Sequence, residues 1–183
     1  MDEARALDVR VDPVAEAAEY QELLLRFLGD RDPVEVQGEL PDQVAALVTE
    51  SGSRLRSRPR AGEWSVLECL DHILDAEIVY SGRYRWTLAH DEPPMIGYDQ
   101  DLWVERLHHQ DGDPLEMLSL LRALRLSNLD LWERTPAEGK ARVGMHSERG
   151  PESFDLSFRL IAGHGLFHLA QMRRTLSGVR RQG

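Results

Sequence analysis

Leu160-Ile161-Ala162-Gly163-His164-Gly165-Leu166-Phe167-His168-Leu169 is the most apolar stretch of the chain, and two histidines four residues apart interrupt it. On an α-helix, residues at i and i+4 lie about 40° apart around the axis and roughly 6 Å apart along it, so both imidazoles reach one point. Projected at about 3.6 residues per turn, the segment from Phe154 to Leu176 puts Asp155, Arg159 and Arg173 on a wet side. Leu156, Leu160, Ile161, Phe167 and Met172 lie on the dry side, with His164 and His168 at its centre and Ser157 and Gln171 beside them. A buried polar group without a partner costs about 1–3 kcal/mol, so two imidazoles and an amide there call for a common reason. Core histidines bonded to carbonyls across a bundle are one reading, and two neutral nitrogens offered to a metal are the other. A third ligand decides between them.

The candidate is His72, in Trp64-Ser65-Val66-Leu67-Glu68-Cys69-Leu70-Asp71-His72-Ile73-Leu74-Asp75-Ala76-Glu77. Val66, Leu70, Ile73, Leu74 and Tyr80 define the inner face of that helix, and His72 lies on its flank, where an inward ring is permitted but not required. Glu68, Asp71 and Asp75 cluster opposite and read as a solvated stripe. Glu77 projects among the apolar residues and needs a partner, since an unpaired buried carboxylate is severely penalised. Arg122 and Arg125, beside Leu118 and Leu129 on the apolar face of a later helix, are the two candidates.

Working outward, helical periodicity covers almost the whole chain. Helices are expected from about Val14 to Leu28 and Pro33 to Thr49, the second kinked or interrupted at Gly38 and Pro41. A long helix follows from Ser65, an N-cap with Glu68 three residues on, to about His90. Asp91 to Tyr98 reads as a loop, Gln100 to His109 as a short helix, and Asp113-Pro114 as the start of a helix running to Arg134. A loop from Thr135 to Gly150 precedes the final helix. Strand alternation is not evident, so the expected fold is all-α, a four-helix bundle with short extra helices. One domain over 1–183 is expected, with 1–13 and 178–183 as flexible ends.

With 183 residues and 42% hydrophobic content the chain is long enough for one substantial core. Its net charge of −10 argues against a nucleic-acid or anionic-membrane surface, both of which need basic patches. One cysteine, Cys69, cannot form an intramolecular disulfide, and neither a signal peptide nor a run of 18 apolar residues is visible. A soluble cytoplasmic protein is expected.

Trp64-Ser65 followed by His72 and Glu77, Gly97-Tyr98-Asp99, Arg122 to Leu129, His146-x-Glu148-Arg149-Gly150 and His164-x-x-x-His168-Leu169-x-Gln171 together resemble the DinB/YfiT-like superfamily of metal-binding four-helix bundles, over roughly Tyr20 to Leu176. The resemblance implies an up-down-down-up bundle holding a divalent metal on His72, His164 and His168, and a homodimer. It implies activities such as thiol-dependent transferase and isomerase reactions or amide hydrolysis. Relatives often carry Asp directly after the first histidine of HxxxH, where this chain has Gly165.

Three neutral imidazoles leave a divalent ion its full charge and at least one open position. Such an ion brings the pKa of bound water or a bound thiol near neutrality. Zinc suits a tetrahedral site, and nickel or iron suits added waters. Together with the resemblance, which implies the superfamily's transferase type, the function expected is a metal-dependent S-transferase that turns a low-molecular-weight thiol on an electrophilic small molecule. A hydrolase using metal-bound water is the alternative, and a non-catalytic metal-binding dimer a third reading. Gln171 and His146 are the candidate catalytic residues: Gln171 shares the face of the paired histidines, and His146 sits in a loop just before the metal helix, able to overhang the site as a proton carrier. His90, His108 and His109 read as surface or helix-end residues, Cys69 as a small buried hydrophobe, and the four tryptophans as packing residues.

Overall fold

The computed structural model describes residues 15–181. Seven α-helices are present among them: α1 (Ala17–Leu28), α2 (Pro33–Ser51), α3 (Val66–Ala89), α4 (Gln100–Arg106), α5 (Pro114–Arg134), α6 (Ala137–Lys140) and α7 (Phe154–Arg180). The boundaries follow local chemistry. Asp32 and Asp113 each cap a helix whose first residue is proline, and Asp99 caps α4. Ser65 and Glu68 form a reciprocal capping box at the start of α3. Pro41 does not interrupt α2, which continues through it to Ser51. Residues 178–180 complete α7, while 1–14, 182 and 183, including the expected flexible start, lie outside the described residues.

α2, α3, α5 and α7 form the bundle, and side-chain contacts give its directions. Gln37 Nε2 donates to Phe158 O at 2.8 Å and Arg180 reaches Glu50 at 2.7 Å, so α2 and α7 run parallel. Thr175 Oγ1 donates to Trp64 O just before α3, and Tyr84 OH to Ser157 O, so α3 runs against α7. Arg122 to Asp42 and Arg125 to Gln37 make α5 antiparallel to α2. The order is up-down-down-up. α1 packs along α7 through Leu23, Phe27 and Ala170, with Phe27 edge-on to Phe167.

The interior is layered. Leu40, Val44, Leu70, Leu118, Leu121, Met172 and Leu176 fill one end, and Tyr84, Phe154, Phe158 and Ile161 fill the other. Between them lies a polar waist containing His72, His164, His168 and the buried pair of Glu77 with Arg125 at 2.8 Å. The carboxylate that needed a partner has found Arg125; Arg122 pairs with Asp42 at the surface instead.

Two segments expected as loops contain strands. β1 (Pro94–Met95), β2 (Val143–His146) and β3 (Gly150–Ser153) make a small sheet in that order, with β1 parallel and β2–β3 antiparallel, Met95 opposite His146 and His146 opposite Gly150. Strands of two to four residues are too short to show alternation, yet this sheet roofs one side of the site. No helix among the described residues is long and apolar enough to cross a membrane.

Candidate metal centre

α3 brings His72 and α7 brings His164 and His168 to one place. The rings are 1%, 7% and 2% exposed, their centroids stand 4.3–4.9 Å apart, and one nitrogen from each falls within 4.8 Å of the others. His72 Nε2 and His164 Nε2 are 3.0 Å apart. Two nitrogens bound to one ion at about 2.1 Å stand about 3.0–3.4 Å apart, so this spacing fits a shared cation.

The donor set fits as well. His168 Nδ1 lies 2.7 Å from Gln171 Oε1, an acceptor, so Nδ1 carries the proton and Nε2 keeps a bare lone pair. That buried Nε2 meets no hydrogen-bond partner. Burial, followed by the proximity of the other rings, holds His72 and His164 well below the ordinary histidine pKa, and burial brings His168 down to about 4 against the raising effect of Gln171. All three are thus neutral near pH 7, the form in which imidazole binds metals. Trp64 stacks against His168 and tilts over His72, and Phe167 stands edge-on to His168, which keeps the rings dry and fixed. These residues are compatible with a metal site.

Gly165, at the position where the resemblance leads one to expect aspartate, faces α2: a Cβ there would lie 2.4 Å from Leu40 Cδ2. Leu40 occupies the space a side chain would need. The thiol of Cys69 is fully buried and pushed up in pKa by burial, without reaching the site.

His72 and His164 line a cavity of about 280 Å³ bounded also by Tyr20 and Gln21 of α1, Ala76, Tyr80 and Arg83 of α3, Tyr98, and His146 and Arg149 of the sheet region. His146 belongs to a strand rather than a loop, and its ring is buried. Its Nδ1 accepts from the backbone N–H groups of Glu148 and Arg149, at 3.2 and 3.4 Å. Burial, helped by Arg149 and Arg83, lowers its pKa to about 4. Gln171, by contrast, turns to His168 and does not line the cavity.

Sequence reasoning missed several wall residues. Tyr20 and Gln21 come from a separate helix and carry no local signature, and Tyr98, though part of the Gly97-Tyr98-Asp99 motif, was given no place in the site. Arg83 had one: residues 72, 76, 80 and 83 form a single stripe along α3. The stripe of acids also needs correction, because Glu68 is buried against Ser65 and Arg58, and Asp75 is buried 3.0 Å from His109 Nε2. His109 is accordingly a buried residue. Burial works against its protonation, but the Asp75 and Asp71 carboxylates raise its pKa above the ordinary value and dock the turn before α5 onto α3.

The fold, the order of motifs and the three converging rings can be set against known proteins. The DinB superfamily profile matches residues 36–172. The chain belongs to the DinB superfamily. Among its DinB relatives, a protein of Oceanobacillus iheyensis is 26% identical over 123 residues, covering 67% of this chain and 70% of the relative. One from Geobacillus thermodenitrificans is 25% identical over 136 residues, 73% and 76% of the two chains. YfiT of Bacillus subtilis is 27% identical over 92 residues, about half of each. All three are named, provisionally, as metal-dependent hydrolases. The solved structure of Bacillus subtilis YfiT, described as a four-helix bundle of unusual topology, superposes with a TM-score of 0.74 at 24% identity, covering 82% of this chain and 86% of YfiT. This likeness concerns the fold.

Proposed function

We propose that this DinB superfamily member is a metal-dependent enzyme that hydrolyses a small molecule. The observation that carries the reading is the convergence of three neutral, buried imidazoles beside a cavity of substrate size. The names of the relatives favour hydrolysis over the thiol transfer that the resemblance first suggested. His72, His164 and His168 are the residues that would hold the ion, zinc or nickel being the first choices and iron the next. Once bound, the ion supplies a positive charge that brings the pKa of a coordinated water or thiol towards neutrality. Gln171 is a positioning residue: its carbonyl fixes the tautomer and plane of His168, the usual role of an outer partner. His146 keeps its proton on Nε2 because two backbone N–H groups occupy Nδ1, so it serves the cavity as a hydrogen-bond donor rather than as a proton carrier.

Thiol-dependent transfer is the second reading. The cavity wall follows α3 from His72 past Ala76 and Tyr80 to Arg83, room enough for a cosubstrate beside an electrophile. With Cys69 sealed in the core, the thiol would come from solution. Elemental analysis of untagged protein, followed by turnover of an amide and ester panel with and without added thiols, tests both. Stoichiometric metal lost in His72→Ala, with thiol-independent turnover, supports hydrolysis; turnover only with thiol supports transfer; wild-type protein without metal defeats both.

A further inference from the structure

Two buried ring or guanidinium N–H groups in the cavity wall, one from Arg83 and one from His146, find no acceptor. Arg83 is 3% exposed; it donates Nη2 to Ile96 O at 2.6 Å and lies over the Tyr80 ring, but its Nε is unpartnered and no carboxylate pairs with it among the described residues. His146 is 4% exposed, and the Nε2 that carries its proton is also unpartnered. The two are brought together because Ile96 directly follows Met95, which pairs with His146 across the sheet. A buried guanidinium without a counter-ion is strongly disfavoured unless a ligand supplies the missing charge.

We infer that the end of the cavity remote from the histidine triad binds a carboxylate, held by Arg83 and His146. The charge count selects this group. Arg149, the other cation in the wall, is already paired with Glu152 at 2.8 Å, which leaves Arg83 as the buried cation of the wall with no carboxylate paired to it among the described residues. That charge matches a monoanion and not a phosphate dianion, and exposed Asp99, Asp101 and Glu148 at the cavity's edge repel a polyanion further. Arg83 lies eleven residues beyond His72 on the same face of α3, about 16 Å of helix rise, and its guanidinium sits over the ring of Tyr80, one turn nearer the triad. The ligand is therefore an extended carboxylic acid with its anionic end at Arg83 and its other end at the histidines. That this ligand is the substrate rests on the metal-dependent reading; the carboxylate site itself does not.

The test uses the full chain after chelation, so that it stays informative whether or not the metal reading holds. Hexanoate, octanoate, hexanamide and inorganic phosphate are titrated by calorimetry and thermal shift against wild type and Arg83→Gln. Hexanoate or octanoate should bind and raise Tm, at least ten-fold more tightly than hexanamide or phosphate, with the preference lost in Arg83→Gln. If Arg83→Gln does not fold, the comparison of hexanoate with hexanamide in wild type and in His146→Ala decides. Equal binding of acid and amide, tighter binding of phosphate, an unchanged affinity in Arg83→Gln, or no binding of either acid would overturn the inference.

Discussion

Replacing Glu77 by Gln should cost more stability than any other single-atom exchange in the bundle. Glu77 Oε2 lies 2.8 Å from Arg125 Nη2, and Oε1 accepts from Asn128 Nδ2 at 2.6 Å. Arg125 Nη1 donates to Gln37 Oε1 at 2.6 Å, and Gln37 Nε2 donates to Phe158 O, so one chain of contacts joins all four bundle helices. The two charged side chains are 0% and 2% exposed, leaving no solvent to screen what remains. Neutralising Glu77 strands the Arg125 charge in the core, a loss of about 3–5 kcal/mol from a total of about 5–15 kcal/mol. At about 2–4 °C per kcal/mol for a chain of this size, Tm should fall by roughly 6–20 °C. Urea unfolding of chelated protein followed by far-UV circular dichroism should show a lower midpoint with an unchanged m-value. Glu77→Gln/Arg125→Met, which removes both charges, should recover at least half of the loss. A Glu77→Gln midpoint within about 1 kcal/mol of wild type would refute the claim that this pair is desolvated and mutually dependent.

Three further outcomes are expected. Gln171→Leu should weaken metal binding by about 10–100-fold through loss of the His168 contact, read by competition with a chromogenic chelator; unchanged affinity would remove Gln171 from any positioning role. In metal-free protein, burial depresses the pKa of His168 and His146 to about 4. The unfolded chain therefore takes up protons first, so stability should be full above about pH 6.5 and decline as pH falls towards 4; urea midpoints that stay flat over this range would contradict the burial of these rings. Ser65→Ala, which removes half of the capping box, should lower stability by about 1 kcal/mol, and a change below the error of the melt would show that Arg58 and the Glu68 carboxylate suffice without it.

The histidine pair was legible because i, i+4 spacing on a dry face is a local property of α7, and Glu77 was legible because a carboxylate on an apolar stripe demands a countercharge. The ring of His72 needed more, since its wheel position allowed either orientation and only packing against Trp64 and α7 turns it inward. The sheet lay beyond reach because β1 depends on a distant partner, β2, and has two residues of its own. His109 and Asp75 were misplaced for the same reason. Each looks solvated on its own helix or turn, and their burial arises only when the segment before α5 folds back onto α3. Arg83 is the instructive omission: it shares the stripe of His72, Ala76 and Tyr80, but long basic side chains are ordinarily assigned to solvent.

Gly163, directly before His164, matters beyond its own position. A methyl group there would sit 2.1 Å from the carbonyl oxygen of Leu24, so α1 and α7 touch backbone to backbone at this level. Tyr20 and Gln21, on the turn of α1 just before Leu24, face the opening in front of His164. The smallest of residues thus acts as a spacer that sets the aperture from behind, and enlarging it to alanine would push α1 outward and carry Tyr20 and Gln21 away from His164.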